Sequence, residues 1–222
     1  GILTRELCRH ARRVVAVEID PTLATVLQHL VTATNLEVVQ GDALTFDPSP
    51  FAGPYKLAAN LPYHITSPLL RHFLVEVRRP TRLVVMVQRE VAERVAARPG
   101  AMSFLAVMVQ LFAAPSIVRY VSPGAYFPRP KVTSAILRLD VRPTPAVPVE
   151  DRAAAFLDFV QAGFAQPRKQ LRNSLAQGLR VSTAAAAALL REAGIDPTRR
   201  PQALGIEEWW RLFQAYQASQ PS

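Results

Sequence analysis

Apolar residues cluster first at 14 to 19, Val-Val-Ala-Val-Glu-Ile, a short β-branched run that ends in an acid and predicts a strand. Pro21 to Val31 then reads as a helix opened by proline in its first turn. Leu36 to Gln40 predicts a second strand closed by Gly41-Asp42, Lys56 to Ala59 a third, and Arg82 to Val87 a fourth. After the third strand, Asn60-Leu61-Pro62-Tyr63 leads into a helix capped by Ser67, with Pro68 at its first position. Short buried strands alternating with helices predict an α/β fold built on βαβ units and a parallel sheet, whose ligands sit beyond the carboxyl ends of the strands. Glu18, Asp42 and Asn60 all fall at such ends.

The pattern changes beyond a helix at about Met102 to Phe112. Ser116 to Val121 and Thr133 to Leu139 alternate in strand fashion around the proline-rich stretch 123 to 130, which predicts an antiparallel edge hairpin. Arg142-Pro-Thr-Pro-Ala-Val-Pro148 continues neither a helix nor a sheet interior, because proline lacks the N–H that both need. It marks the expected boundary between a domain at 1–144 and a helical domain at 149–222. In the latter, Asp151 to Ala165, Arg168 to Leu179, Thr183 to Ala193 and Ile206 to Ala218 read as helices.

Length and composition bound this picture. The chain has 222 residues, half of them apolar, enough for one substantial core and a small appendage. No apolar run approaches the roughly 18 residues a membrane helix needs, and no secretory signal pattern opens the chain, so a cytoplasmic protein free of membrane contact is expected. Cys8 is the sole cysteine; Cys8 and His10 are too sparse for a zinc site, and no metal is expected. The charge of +9, from 26 Lys and Arg against 17 Asp and Glu, is carried almost wholly by arginine. That suits a polyanionic partner, since guanidinium forks match phosphate and stack on bases; a compositional bias of the genome would produce the same balance. Gly1 stands where an initiator methionine is absent, and the chain looks cut at its front.

Three strand ends carry candidate chemistry. Glu18 is suited to accept hydrogen bonds from ribose hydroxyls, or is a surface acid. Asp42 can accept from an adenine amino group, or serves its turn. The loop Asn60 to Tyr63 is less ordinary, because bland turns favour Gly, Asp or Ser over an amide, a proline and an aromatic together. Its parts fit methylation of an exocyclic adenine amine. The Asn60 oxygen and a backbone carbonyl, that of Leu61, accept the two amine hydrogens and turn the nitrogen lone pair toward a sulfonium methyl. Pro62 stiffens the loop, and Tyr63 stacks on a base drawn out of its helix. Such catalysis works through positioning and electrostatics and needs no strong base.

With these residues the sequence resembles the bacterial KsgA-type small-subunit rRNA adenine dimethyltransferases over essentially its whole length. The matching blocks are Gly1 to Leu7, Val17-Glu18-Ile19-Asp20, Gly41-Asp42-Ala43, Asn60-Leu61-Pro62-Tyr63, Tyr126-Phe127-Pro128-Arg129-Pro130-Lys131-Val132-Thr133-Ser134-Ala135, and Phe164 to Leu175. The resemblance implies a Rossmann-like class I methyltransferase domain dependent on S-adenosylmethionine, followed by a small all-α domain that binds rRNA. It implies that Glu18 holds the cofactor ribose and Asp42 its adenine, that Ile19 and Ala43 also bind the cofactor, and that Gly1 closes a glycine-rich loop around its methionine part. Asn60 would meet both cofactor and target amine, and Tyr63 and Tyr126 would sandwich the target ring. Position 126 is tyrosine where the family has phenylalanine, with Phe127 beside it, so either ring can be the one that stacks. His64 stands where asparagine is more frequent and is read as packing or solvent-facing. Because the rest of the glycine loop lies outside this sequence, weak binding of S-adenosylmethionine by the 222-residue chain is expected.

Arg168, Lys169 and Arg172, read at helical spacing, are the candidate phosphate contacts; a solvated helix face is the alternative. The implied substrate is a pair of adjacent adenines in a hairpin loop near the 3′ end of 16S rRNA, in a precursor of the small ribosomal subunit, each dimethylated by a monomeric enzyme. Rival readings are a large-subunit rRNA methyltransferase of the macrolide-resistance class, a non-catalytic rRNA-binding assembly factor, and a nicotinamide oxidoreductase, which leaves the 60 to 63 loop without a role.

Overall fold

The computed structural model describes residues 1–125 and 132–220. They divide into two compact units, Gly1–Ala52 and Gly53–Ser222. The expected proline-rich boundary at 142 to 148 lies inside the second.

In the first unit, α1 (Ile2–His10) precedes β1 (Val14–Glu18), α2 (Pro21–Leu30) and β2 (Leu36–Gln40). The strands pair in parallel, from Val14 opposite Leu36 to Glu18 opposite Gln40, which is the anticipated βαβ unit. Asp20 starts α2 by accepting hydrogen bonds from the N–H groups of Thr22 (2.8 Å) and Leu23 (3.0 Å), and Pro21 sits in the first turn, where an N–H has no helical partner anyway. The outer side of this helix carries Leu23, Val26 and Leu30, all exposed.

The second unit holds a four-stranded sheet in the order β3-β4-β6-β5, here β3 (Lys56–Asn60), β4 (Arg82–Gln88), β5 (Ala113–Val121) and β6 (Ser134–Val141). β3 and β4 are parallel; β6 runs antiparallel to both β4 and β5. The edge hairpin is therefore present and joins the sheet through its second strand. The strands pair as two sheets, not as one continuous parallel sheet. Leu83, Val85 and Val87 of β4 and Ala135, Leu137 and Leu139 of β6 are fully buried. α3 (Thr66–Arg71), α4 (Arg89–Val95) and α5 (Phe104–Phe112) complete this core, with α5 packing on α3, α4 and β5. No described helix is long and apolar enough to cross a membrane.

Two details differ from the sequence reading near the catalytic loop. α3 begins at Thr66, with Ile65 as its cap residue and a 3₁₀ turn over Tyr63–Ile65 before it, so Ser67 is not the cap and Pro68 is not the first residue. The short turn donates Thr66 N–H to Tyr63 O and so takes over the task assigned to a serine side chain. The helix then continues as a π turn, His72–Glu76.

α6 (Ala153–Gly163), α7 (Leu171–Leu179), α8 (Thr183–Glu192) and α9 (Ile206–Ala218) form the C-terminal helices, and α6 and α9 pack on α5. Phe156, Phe159, Trp209, Trp210 and Phe213 supply their aromatic core, with edge-on pairs at 5.6 Å between Phe156 and both Trp210 and Phe213. α9 is opened by Glu208, whose carboxylate accepts the Gly205 N–H at 3.0 Å and pairs with both terminal nitrogens of Arg199 at 2.5 and 3.2 Å. The Arg199 hydrogen bonds hold this carboxyl below the usual glutamate range. A depressed carboxylate stabilises the fold above its unfolded pKa of about 4.3, and that stabilisation fades as pH falls through the lower folded value. Glu208→Gln should cost about 1–3 kcal/mol at neutral pH and flatten the loss of stability below about pH 4. Urea unfolding of both proteins from neutral to acid pH checks this; identical pH profiles would remove the pair from the stability account.

Candidate functional site

In the first unit, the carboxyl ends of β1 and β2 meet where the Gly41 N–H donates to Glu18 O at 2.9 Å. Each acid there is partly engaged with its own chain. Glu18 accepts the Asp20 N–H at 3.1 Å through Oε1, and Asp42 accepts the Leu44 N–H at 2.8 Å through Oδ1. Among the described residues, the second oxygen of each carboxylate makes no hydrogen bond. Two half-engaged, half-buried acceptors at adjoining strand ends suit a ligand that presents hydroxyl and amino donors, as a nucleoside does. Ile19 is exposed and Ala43 is half-buried beside them. Gly1 is the cap residue of α1, and a Cβ there would stand 3.1 Å from the side chains of Leu27 and Val31. Glu18 and Asp42, with Ile19 and Ala43 beside them, fit the nucleoside part of S-adenosylmethionine.

In the second unit, Asn60 is the last residue of β3, opposite Met86 of β4. Its side chain is exposed, whereas the Leu61 side chain is buried and pins the loop from below. Pro62, with φ −57° and ψ 130°, turns the chain, and its carbonyl accepts the Ile65 N–H at 3.2 Å. The Asn60 side-chain amide and the Leu61 carbonyl have no hydrogen-bond partner among the described residues. Two acceptors are thereby left available, while the backbone that carries them is fixed on both sides. Tyr63 is half-buried, and its hydroxyl lies 2.9 Å from Ser134 Oγ at the start of β6. His64 is exposed. Thr66 is buried just behind the loop, and its hydroxyl has no partner among the described residues. Tyr126 and Phe127 lie outside the described residues.

The basic trio is arranged differently from its sequence reading. α7 begins at Leu171, so Arg168 and Lys169 lie in the preceding turn and Arg172 alone is helical. The turn closes because the Lys169 N–H donates to Gln166 O at 3.0 Å just past Pro167, and Gln170 is extended. Arg168 and Lys169 are exposed; Arg172 is half-buried, with its Nε enclosed and without a partner among the described residues. The rest of the Phe164 to Leu175 block has a packing role. Ser174 is fully buried, donates to Gly163 O at 2.6 Å and accepts the Gln166 N–H at 2.8 Å, tying the end of α6 to α7.

Sequence reasoning quoted Ser134 within a motif without giving it a task. Its signal is a hydroxyl heading a strand that runs Ala-Ile-Leu before its first charge at Arg138; its partner, 71 residues away, carries no local sign. No group of three His, Cys, Asp or Glu residues able to hold a metal comes together among the described residues.

The family described as ribosomal RNA adenine dimethylase matches residues 1–218. The Ribosomal RNA small subunit methyltransferase A of Dehalococcoides mccartyi is 43% identical over 220 residues, covering 97% of this chain and 75% of the relative. The protein of the same name from Desulfitobacterium hafniense is 39% identical over 97% of this chain and 78% of its own length. Among solved structures, the 23S rRNA methyltransferase ErmE superposes with a TM-score of 0.72 at 32% identity, over 98% of this chain and 87% of its own. A dimethyladenosine transferase from Plasmodium falciparum, 22% identical, shares the fold with a TM-score of 0.76 over 98% of this chain and 86% of its own. The chain belongs to the ribosomal RNA adenine dimethylase family.

Proposed function

We propose that this protein transfers methyl groups from S-adenosylmethionine to the exocyclic amines of two adjacent adenines in a hairpin loop near the 3′ end of 16S rRNA, producing dimethyladenosines during small-subunit assembly. The observation that carries the chemistry is the pair of acceptors without a partner among the described residues, the Asn60 amide and the Leu61 carbonyl, on an otherwise pinned loop. The small-subunit choice is supported by relatives of that name at 39–43% identity.

Glu18 and Ile19 hold the ribose of the cofactor, Asp42 and Ala43 its adenine, and Gly1 belongs to the turn around its methionine portion. When bound, S-adenosylmethionine supplies an electrophilic methyl group. Asn60 Oδ1 and Leu61 O accept the two hydrogens of the adenine amine, which withdraws the nitrogen lone pair from the ring and orients it outward. Tyr63 stacks on the extracted base, with the aromatic residue at 126 or 127 on its other face. Neither acceptor is a strong base; the amine becomes acidic only as it gains the methyl group, so its proton can pass to water. Arg168, Lys169 and Arg172, in the helical domain at 149–222, contact RNA phosphates and orient the hairpin. The enzyme acts as a cytoplasmic monomer on rRNA within a precursor of the small subunit.

The 32% identity to ErmE favours a second reading, a single adenine of large-subunit rRNA as target. Incubating the protein with saturating labelled S-adenosylmethionine and either unmodified 30S particles or protein-free 23S rRNA, then mapping the label, separates the two. Label on adjacent adenines of 16S rRNA is expected. Label confined to 23S rRNA, or tight RNA binding without transfer, would overturn the proposal.

A further inference from the structure

Ser134 is fully buried. It opens β6 opposite Gln88, the last residue of β4, and opposite Val121, the last residue of β5. Next to this pairing, the Arg89 N–H donates to Thr133 O at 3.0 Å, so the backbone on both sides of Ser134 is held by the sheet. A hydroxyl enclosed in this way needs a partner, since a buried polar group left unpaired is costly. Its partner is the Tyr63 hydroxyl, 2.9 Å away.

The geometry gives this contact a specific consequence. The phenol oxygen lies on the axis of the outer ring torsion, so anchoring it fixes where the ring points while its neighbours set the plane. Tyr63 Cα belongs to the 3₁₀ turn that follows Pro62, and the far end of the same side chain is tied to the first residue of an interior strand of the sheet. A tyrosine held at both ends is a pre-positioned platform; phenylalanine at 63 would have the same stacking face without the anchor.

We propose that Ser134 is a positioning residue for base capture: through its hydrogen bond to Tyr63 it holds the ring where an extracted adenine stacks. The proposal rests on the reading of Tyr63 as the stacking residue and deepens it. Ser134 touches neither base nor cofactor in this role, and its effect passes entirely through the tyrosine.

The test uses an RNA hairpin carrying 2-aminopurine at the target adenine, whose fluorescence rises when the base leaves its stack, so no methyl donor is needed. The proteins compared are wild type, Tyr63→Ala, Tyr63→Phe, Ser134→Ala and the double variant Tyr63→Phe/Ser134→Ala, with thermal unfolding recorded for each. Tyr63→Ala should lose capture. Tyr63→Phe and Ser134→Ala should each weaken the capture equilibrium by roughly tenfold, the worth of one hydrogen bond. The double variant should be no weaker than the poorer single variant, because both substitutions remove the same bond. It should also unfold at a higher temperature than Tyr63→Phe, which leaves the Ser134 hydroxyl buried and unpaired. If Tyr63→Ala loses capture while Ser134→Ala keeps it, or if the two single effects multiply in the double variant, the role of Ser134 is overturned and that of Tyr63 stands. If Tyr63→Ala captures as wild type does, the stacking assignment itself falls, and this inference with it.

Discussion

Asn60→Ala should reduce methyl transfer by at least about 10²- to 10³-fold, the effect typical of removing a preorganised polar group from the reacting centre. Structural damage would not account for such a loss. The Asn60 side chain is exposed and has no partner among the described residues, while its position opposite Met86 is a backbone pairing that alanine preserves. RNA affinity should stay within about twofold, because the proposed phosphate contacts at Arg168, Lys169 and Arg172, which would supply most of it, lie elsewhere. Single-turnover transfer at saturating S-adenosylmethionine, beside filter binding of the same RNA, separates the two quantities. A variant that turns over like wild type would remove Asn60 from the reaction, and one that binds RNA far more weakly would move it to substrate docking.

A second large effect is expected in the C-terminal helices. A Cβ on Gly178 of α7 would stand 2.1 Å from the carbonyl oxygen of Ala162 on α6, and 2.6 and 2.7 Å from that residue's carbonyl carbon and Cα. These are backbone atoms, so no side-chain rotation relieves the overlap, and α6 and α7 must separate. Alanine would normally gain about 1 kcal/mol over glycine inside a helix. Against that stands an overpacking cost near or above the usual limit of about 3 kcal/mol, so Gly178→Ala should be net destabilising by about 2 kcal/mol or more. For a chain of this size that corresponds to a fall in melting temperature of at least roughly 4–8 °C. Gln177→Ala, on the exposed side of the same helix, should change stability by no more than about 0.5 kcal/mol. An unchanged or raised melting temperature for Gly178→Ala would mean that the two helices do not cross this closely.

How far sequence carried depended on whether a feature was local. β1, α2 and β2 were legible because their apolar runs and the Pro21 start are complete within a few residues. α1 was not foreseen: Leu3, Leu7 and Cys8 do stand at helical spacing, but the helix is only nine residues long and no side chain caps its start. α4 escaped because β4 passes into it at Arg89 with no turn residue between them. The early start assigned to α7 came from reading Arg168 and Lys169 as helical through a turn that closes past Pro167. Within the candidate site, the residue types in the loop pointed to adenine chemistry from their side chains alone. Which of their groups are free, and which are tied down, became readable only with the fold, because Tyr63 is anchored by a residue from a distant block.

That anchor also sets the order in which the protein can become functional. The parallel pairing of Asn60 with Met86, the antiparallel ladder from Arg82–Asp140 to Gln88–Ser134, and the contact from Tyr63 to Ser134 all join segments far apart in the chain. Contacts of this kind form only after substantial loop closure, and therefore late. A nascent or partly unfolded chain can hold the Asn60 to Tyr63 peptide complete in sequence yet have no aligned ring to receive a base. The aligned position of the Tyr63 ring thus arrives together with closure of the sheet, and a half-folded chain lacks it.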